Sequence, residues 1–278
     1  MYWFSKFRNF LNKPWGDKVS SVRFRSRRLS KWVRTFIPIP VRLPYGGWWL
    51  AGNDVCSDEI CAGNFEKGEQ CYIERSLKQG MTVLDIGAHH GFYTLLAARK
   101  VGSSGLVIAF EPSPREQRKL LLHLKINRCK NVRMESIALA SKDGQSMFYV
   151  IEGRETGCNS LRPPSVGDPS KAINVITTTL DSYLTRNNIA RADFIKIDAE
   201  GAELEILKGA VKLLETTPRP IIVCEVDDNR TAPWGYSSQE IIAFLENHNY
   251  QWYGLGSIGE LVPLEQHQSY NLVAIPRE

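Results

Sequence analysis

Apolar and polar positions alternate along most of the chain in a pattern that predicts strands and helices in turn. Short apolar runs such as TVLDIG, at residues 82–87, are followed by segments in which apolar residues recur at helical spacing. Strands that alternate with helices of about ten to fifteen residues indicate βαβ units and a parallel sheet. We therefore predict a doubly wound α/β sheet, mostly parallel, with an antiparallel terminal strand.

The predicted elements follow one another from about residue 70 to the end of the chain. The predicted strands are TVLDIG, LVIAFEP, NVRMESIAL, ADFIKID, PIIVCEV, YQWYGLG and YNLVAIP. The predicted helices are CYIERSLKQG, FYTLLAARKV, PREQRKLLLHLKIN, AELEILKGAVKLLE and SSQEIIAFLENHN. Between about residues 140 and 190, β-branched runs flank a loop rich in Gly, Pro and Ser, which predicts an inserted hairpin.

The first 50 residues differ in character from the rest and are predicted to form an extension. Residues 36–50 contain three prolines and a Gly-Gly pair, which favour extended or turn structure and mark a junction. We place a basic, aromatic extension at residues 1–50 and one domain at residues 51–278. This domain is long enough to bury a proper core.

Positive charge is concentrated in residues 1–42, which hold eleven Lys and Arg against the single acid Asp17. This segment therefore carries +10, and because the whole chain carries +5, the remainder carries −5. Aromatic residues interleave with these charges, so the segment is suited to peripheral contact with an anionic membrane. Packing of the aromatics on the domain is the alternative. The chain has no apolar run of transmembrane length and its start lacks a signal-peptide pattern, so we expect a cytoplasmic protein.

The stretch VLDIGAHHGF, at residues 83–92, is the first candidate for ligand chemistry. Gly87 and Gly91 stand on the turn between a strand and a helix, where glycines let a ligand approach the backbone. The GxGxxG pattern of dinucleotide sites is missing, which weakens a nicotinamide oxidoreductase. Asp85 suits a ligand with a cationic centre, such as the amino group of S-adenosylmethionine, and Glu111 ends the next strand where it would accept hydrogen bonds from ribose hydroxyls.

A second group of charged residues, Lys196, Asp198 and Glu200, ends the strand ADFIKID. In the usual strand order this strand lies beside the first, so its carboxylates would face the bound donor. Methyl transfer to an alcohol needs an aligned nucleophile and gains from a base that takes its proton. Asp198 is the first candidate for base or substrate anchor, followed by Glu200 and His90.

The chain resembles the FkbM-type S-adenosylmethionine-dependent methyltransferases. The resemblance spans roughly residues 80–276 and rests on VLDIGAHHGFYTLLAA, VIAFEPSPR, TTTLDSYL, PIIVCEV, NLVAIP and above all IKIDAEGAELEILKGA. It implies a class I methyltransferase (Rossmann-like) fold and a methyl group delivered to a hydroxyl of a sugar, glycolipid or secondary metabolite. By position, the residues matching the cofactor motif are Asp85, Gly87, Gly91 and Glu111, and those matching the signature block are Asp198, Glu200 and Gly201.

One departure from that family concerns the glycine turn. The family commonly has GAN followed by an apolar residue, whereas this chain has Ala88, His89 and His90. We expect Ala88 and His89 to contact the donor, with a charge on His89 that depends on pH. Adjacent histidines point in divergent directions, so no zinc site is expected and no metal is predicted to be required. A magnesium ion held by Asp198 and Glu200 stays an open alternative.

Two other functions compete with an O-methyltransferase. A non-catalytic module of the same fold could dock on a membrane or anionic partner through the basic arm, but the chain keeps its acids and glycines together. Methylation of nucleic-acid bases is disfavoured, because enzymes of that kind usually carry an Asp/Asn-Pro-Pro-aromatic turn where this chain has IKIDAEG. We therefore expect a small-molecule, glycan or glycolipid acceptor.

Overall fold

A computed structural model describes residues 32–164, 166–266 and 270–278 of the protein. Within these residues the central sheet has eight strands. They are β3 (Thr82–Ile86), β4 (Leu106–Phe110), β5 (Val132–Glu135), β9 (Phe194–Ile197), β10 (Ile221–Glu225), β11 (Tyr250–Leu255), β12 (Leu261–Val262) and β13 (Asn271–Pro276). Two smaller sheets are built from β1 (Ile39–Arg42), β2 (Trp48–Ala51), β6 (Ala138–Leu139), β7 (Gly144–Ile151) and β8 (Ser170–Thr178).

Helices cover both faces of the central sheet and bury two apolar clusters against it. They are α1 (Val55–Ala62), α2 (Lys67–Ser76), α3 (Phe92–Val101), α4 (Pro114–Ile126), α5 (Leu180–Arg186), α6 (Glu203–Lys208), α7 (Val211–Glu215), α8 (Asp228–Thr231) and α9 (Ser238–Asn247). The strands β3, β4, β9 and β10 are nearly continuous in apolar residues because both of their faces are covered.

The strand order of the central sheet is β12-β11-β13-β10-β9-β3-β4-β5. The neighbouring strands β10, β9, β3, β4 and β5 are parallel to one another. Strand β13 lies between β10 and β11 and is antiparallel to both. The prediction of a doubly wound, mostly parallel sheet with an antiparallel terminal strand is confirmed. Because β3 lies between β4 and β9, the carboxyl ends of all three meet at one edge.

The inserted segment forms a hairpin of β7 and β8, with β6 paired in parallel to β8. Two predicted elements differ from the structure here. The run NVRMESIAL divides into β5 of the central sheet and β6 of the small sheet. The predicted helix AELEILKGAVKLLE divides into α6 and α7 at Gly209, where the main chain approaches Ala140 so closely that a Cβ would lie 2.3 Å from its carbonyl oxygen.

The hairpin of β1 and β2 belongs to the core of the domain. Trp49 is fully buried, and its ring stacks on that of His123 in α4 at a centroid distance of 4.1 Å. The residues just before position 50 therefore pack with the domain, while the domain boundary itself stays a prediction. Most of the basic arm lies outside the described residues. None of the described helices is both long and apolar enough to cross a membrane.

Candidate active site

The turn after β3 is shaped by a close approach to the end of β9. Gly87 adopts φ +80°, and a Cβ at this position would lie 1.8 Å from the carbonyl oxygen of Asp198. The amides of Gly87 and Ala88 both donate to the carbonyl oxygen of Phe110, at 3.1 and 3.0 Å. Only glycine fits there, because a side chain would collide with the neighbouring main chain.

Glu111 lies directly after β4, beside this turn. The amide of His89 donates to its Oε2 atom at 2.8 Å, and the amide of Ser113 donates to its Oε1 atom at 2.8 Å. Each carboxylate oxygen has a second lone pair, so both oxygens can accept a further hydrogen bond. Burial raises the pKa of Glu111 to about 8, although the two amides oppose this shift.

The end of β9 supplies the second wall of the site. Asp198 receives a hydrogen bond of 2.8 Å from the Nζ atom of Lys196, which is itself buried. Lys196 also lies 3.6 Å from Glu69 and 4.8 Å from the centre of the Tyr93 ring. Burial opposes the charge on Lys196, but Asp198 and Glu69 outweigh it and raise its pKa well above the usual value. Lys196 therefore stays charged and fixes Asp198 in place.

Glu200 occupies a left-handed turn with φ +54° and pairs with the Nε atom of Arg230 at 3.0 Å. The turn is held by Glu203, whose Oε1 atom accepts hydrogen bonds from the amides of Ala199 and Gly201. Burial, and next the charge of Asp198, raise the pKa of Glu200 to about 8, whereas Arg230 opposes the shift. The carboxylate of Glu200 is therefore held at the mouth of the site.

Between these walls lies a space of about 520 Å³, part of which is open to solvent, and we call it the main cavity. The predicted site residues on its wall are Gly87, His89, Glu111, Asp198 and Glu200. Apolar side chains, among them Phe110, Ala138 and Ile206, form much of the rest. Thr156, Gly157, Asn159 and Leu161, on the loop after β7, complete the wall.

A smaller space of about 270 Å³, the outer hollow, shares Glu200 with the main cavity. Its wall is formed by Ser160, Arg162, Pro163, Pro164, Glu200, Asn229, Arg230, Pro233 and Trp234. The guanidinium of Arg162 lies over the Trp234 ring at 4.9 Å. Glu200 therefore lines both spaces.

Three of the predicted donor-binding residues lie behind the wall of the main cavity. Asp85 is buried and accepts a hydrogen bond of 2.5 Å from the hydroxyl of Thr94 in α3. Ala88 is buried in the core. Gly91 begins α3 with φ +88°, where a Cβ would lie 2.2 Å from a methyl carbon of Leu120. These residues shape the turn rather than contact the space itself.

His90, the third candidate for catalysis, is not brought to the cavity. Its side chain is only 1% exposed and lies near Trp49, with its Nε2 atom 3.8 Å from Glu116. The cause is local, because His89 has a left-handed conformation that turns the next side chain towards the core. We therefore remove His90 from the catalytic set.

His89 lies on the cavity wall, and its Nε2 atom is 2.9 Å from the hydroxyl of Thr156. Burial, and next the neighbouring His90, hold its pKa well below the usual value, so the ring is neutral near pH 7. The pH-dependent charge expected from the sequence does not arise there. The expectation that the two rings diverge is also wrong, since their centroids stack at 3.6 Å.

Stacking does not turn this histidine pair into a metal site. One nitrogen from each ring and an oxygen of Glu116 come within 4.8 Å of one another. However, the planes of the two rings are inclined by only 25°, so their lone pairs lie in separate, nearly parallel planes. Imidazole binds a metal in the plane of its ring, and the two nitrogens therefore cannot meet at one ion.

Sequence reasoning missed two residues of the site. Arg230 reaches Glu200 from α8, and Thr156 reaches His89 from the loop after β7. Both come from segments without a recognisable motif, and their partners lie 30 or more residues away along the chain. No local signal in the sequence marks either residue.

The fold and this site together define a class of protein. A sheet with β13 antiparallel between β10 and β11, a glycine turn after β3 and an acid after β4 are the features of a class I methyltransferase. A family model described as the methyltransferase FkbM domain matches residues 85–252, more than half of the chain. The chain belongs to this FkbM methyltransferase family.

Two curated proteins match more distantly. "Methyltransferase 1" of Beauveria bassiana is 23% identical over 161 residues, which are 51% of this chain and 63% of that protein. Ribosomal RNA large subunit methyltransferase E of Buchnera aphidicola subsp. Schizaphis graminum is 26% identical over 118 residues, 41% of this chain and 55% of that protein. The chain thus spans less than two thirds of the length of these relatives.

Among solved structures, methyltransferase FkbM from Methylobacillus flagellatus KT superimposes with a TM-score of 0.46 and 13% identity. The match covers 92% of this chain and 60% of that one.

The cofactor of the family is S-adenosylmethionine, and the main cavity fits it. Gly87 lies on the wall of this cavity, on the turn that brings the ends of β3 and β9 together. Glu111 presents two carboxylate oxygens that can accept from ribose hydroxyls, and the apolar walls suit a purine ring. When bound, the cofactor supplies a methyl group on a positively charged sulfur.

Proposed function

We propose that the protein transfers a methyl group from S-adenosylmethionine to a hydroxyl oxygen of a sugar, glycolipid or secondary metabolite. The observation that carries this proposal is the position of Asp198 and Glu200. Both line the main cavity, and Glu200 also lines the outer hollow, where an acceptor would lie. Carboxylates at such a boundary suit an alcohol, because an alcohol has to lose its proton.

Asp198 is the proposed base. As the acceptor oxygen attacks the methyl carbon, its proton passes to a carboxylate oxygen of Asp198. The electron pair of the broken carbon–sulfur bond stays on sulfur. Lys196 orients this carboxylate through the 2.8 Å hydrogen bond. Gly87, His89 and Glu111 are the proposed donor contacts, and Asp85 and Gly91 support the turn that carries them.

The first experiment is calorimetric titration with S-adenosylmethionine, S-adenosylhomocysteine and NADH. Micromolar binding of the first two, without NADH, supports the proposal. Release of S-adenosylhomocysteine is then measured against a panel of monosaccharides, glycolipids and an RNA control. Turnover on RNA instead of on hydroxylated small molecules or glycolipids would contradict the proposed acceptor class.

Asp198→Asn tests the proposed base. We expect turnover on any acceptor found in that panel to fall about 10²- to 10⁴-fold, because an amide cannot take the proton. Affinity for S-adenosylhomocysteine, measured by calorimetry, should stay within a few-fold of the unmodified protein. Full turnover by this variant would exclude Asp198 as the base.

A further inference from the structure

Three carboxylates lie close together, and we call them the carboxylate cluster: Asp198 and Glu200, which line the main cavity, and Glu225. One oxygen from each lies within 4.8 Å of the other two. The strands β9 and β10 run parallel as neighbours, with Ile197 opposite Cys224. Residues that follow these two positions therefore leave the sheet side by side at the same edge.

The size of the cluster matches a single divalent cation. Magnesium binds oxygen ligands at about 2.0–2.1 Å and calcium at about 2.3–2.6 Å. Two ligands on opposite sides of one ion are therefore about 4–5 Å apart, and adjacent ligands are closer. The oxygens of this cluster lie within 4.8 Å of one another, inside the calcium span, and would have to draw slightly closer around magnesium. Carboxylate oxygens are ligands that these hard cations prefer.

Glu225 is the member of the cluster whose buried Oε2 atom has no hydrogen-bond partner among the described residues. Lys196 donates to Asp198, and Arg230 pairs with Glu200. Within the part of the chain that the structure describes, no hydrogen-bond donor contacts the Oε2 atom of Glu225, which is buried. A buried carboxylate oxygen without a donor is costly and points to a missing ligand.

We propose that Asp198, Glu200 and Glu225 together bind one divalent cation of the oxygen-preferring class, Mg²⁺ or Mn²⁺. When the ion binds and all three carboxylates are ionised, the charges of Lys196 and Arg230 offset two of them and leave one negative charge for the ion. The sequence named the first two residues as an open magnesium alternative and predicted no required metal. Glu225 supplies the third ligand.

The role of this ion rests on the proposed methyl transfer, but its binding does not. With the ion in place, the site carries one net positive charge. An acceptor hydroxyl bound to the ion would lose its proton more readily, because the ion stabilises the alkoxide. The proton would pass to Asp198, as proposed above, and the acceptor oxygen would take the methyl group while the electron pair of the carbon–sulfur bond stays on sulfur.

The test uses the full chain saturated with S-adenosylhomocysteine. Mn²⁺ is titrated in, and free Mn²⁺ is followed by its electron paramagnetic resonance signal, with calorimetry in parallel. We expect one Mn²⁺ per chain, displaced by excess Mg²⁺. Glu225→Gln should weaken Mn²⁺ binding at least tenfold. Glu246→Gln, the same change at an exposed position in α9, should leave it unchanged.

Other outcomes separate the two proposals. Absence of saturable Mn²⁺ binding up to millimolar concentration, or equal binding by Glu225→Gln and the unmodified chain, would overturn the metal site. If S-adenosylhomocysteine still binds in that case, the proposed function survives. Failure to bind S-adenosylhomocysteine, with Mn²⁺ binding intact, would instead reject the proposed function. Should Glu225→Gln not fold, as judged by circular dichroism, Glu200→Gln takes its place with the same expected loss.

Discussion

A single missing Cβ at Gly87 allows the ends of β3 and β9 to touch. Gly87→Ala adds a clash with the main chain of Asp198 to the cost of a left-handed conformation. We expect the free energy of unfolding to fall by about 3 kcal/mol. Gly63→Ala is the matched control, since Gly63 has a similar φ of +73° and nothing within 4 Å of its Cβ position, and it should cost only about 1 kcal/mol. Denaturant unfolding measures the loss of stability in both variants. The difference between the two losses is the contribution of the clash with Asp198, since both variants share the cost of a left-handed conformation.

Glu111 should make donor binding depend on pH. In the free protein burial raises its pKa to about 8, so the group is mostly protonated at pH 7. Accepting hydrogen bonds from two hydroxyls favours the ionised form, so S-adenosylhomocysteine should release nearly one proton on binding at pH 7. Affinity should rise with pH up to about 8 and then level off.

Calorimetric titration in buffers with different ionisation enthalpies measures the number of protons released when S-adenosylhomocysteine binds. Glu111→Gln should bind the ligand more weakly and release no proton. Proton release that persists in Glu111→Gln would assign the titration to another group.

The sequence predicted which residues at strand ends lie close together. It did not predict the side-chain direction of residues whose orientation depends on the conformation of a turn. Gly87, Glu111 and Asp198 follow apolar strands, and parallel strands end at one edge, so their proximity follows from the pattern. His90 failed because a left-handed residue before it reverses its direction. The roles of the residues that do line the cavity stay predictions.

At the scale of elements, the β1–β2 hairpin tests how firmly the chain before residue 51 is tied to the domain. Trp49 is fully buried against His123, whereas its neighbour Trp48 is 45% exposed on the opposite face. Trp49→Ala should therefore lower the free energy of unfolding by about 3–5 kcal/mol. Trp48→Ala should cost less than about 1 kcal/mol. Equal effects in thermal unfolding would mean that the hairpin is only loosely attached.

The elements that the sequence did not predict correctly share a physical cause. Apolar periodicity continues through Gly209, but close contact with Ala140 requires a break there. LDSYL, at residues 180–184, follows a β-branched run in the segment predicted as an inserted hairpin, yet it lies in α5. The hydroxyl of Thr179 caps this helix by accepting a hydrogen bond from the amide of Ser182. In both places a contact outside the local pattern decides the structure.

For the whole molecule, the mostly parallel sheet followed from the alternation of strands and helices, and the antiparallel β13 agrees with the predicted antiparallel terminal strand. The charge distribution followed from counting, with an arm of +10 and a remainder of −5. What the arm contacts stays a prediction, because most of it lies outside the described residues. A membrane, a partner or the domain itself would each use the same charges and aromatic residues.

The loop after β7 contributes to both spaces of the site. Thr156, Gly157, Asn159 and Leu161 line the main cavity, whereas Ser160 and Arg162 line the outer hollow. If the outer hollow holds the acceptor, substitutions in this loop that adapt the enzyme to a new acceptor would also change contacts to the donor. They would therefore alter the rate at which S-adenosylhomocysteine dissociates. Relatives that diverged in acceptor choice would then be expected to differ in product inhibition as well, with compensating changes in the same few residues.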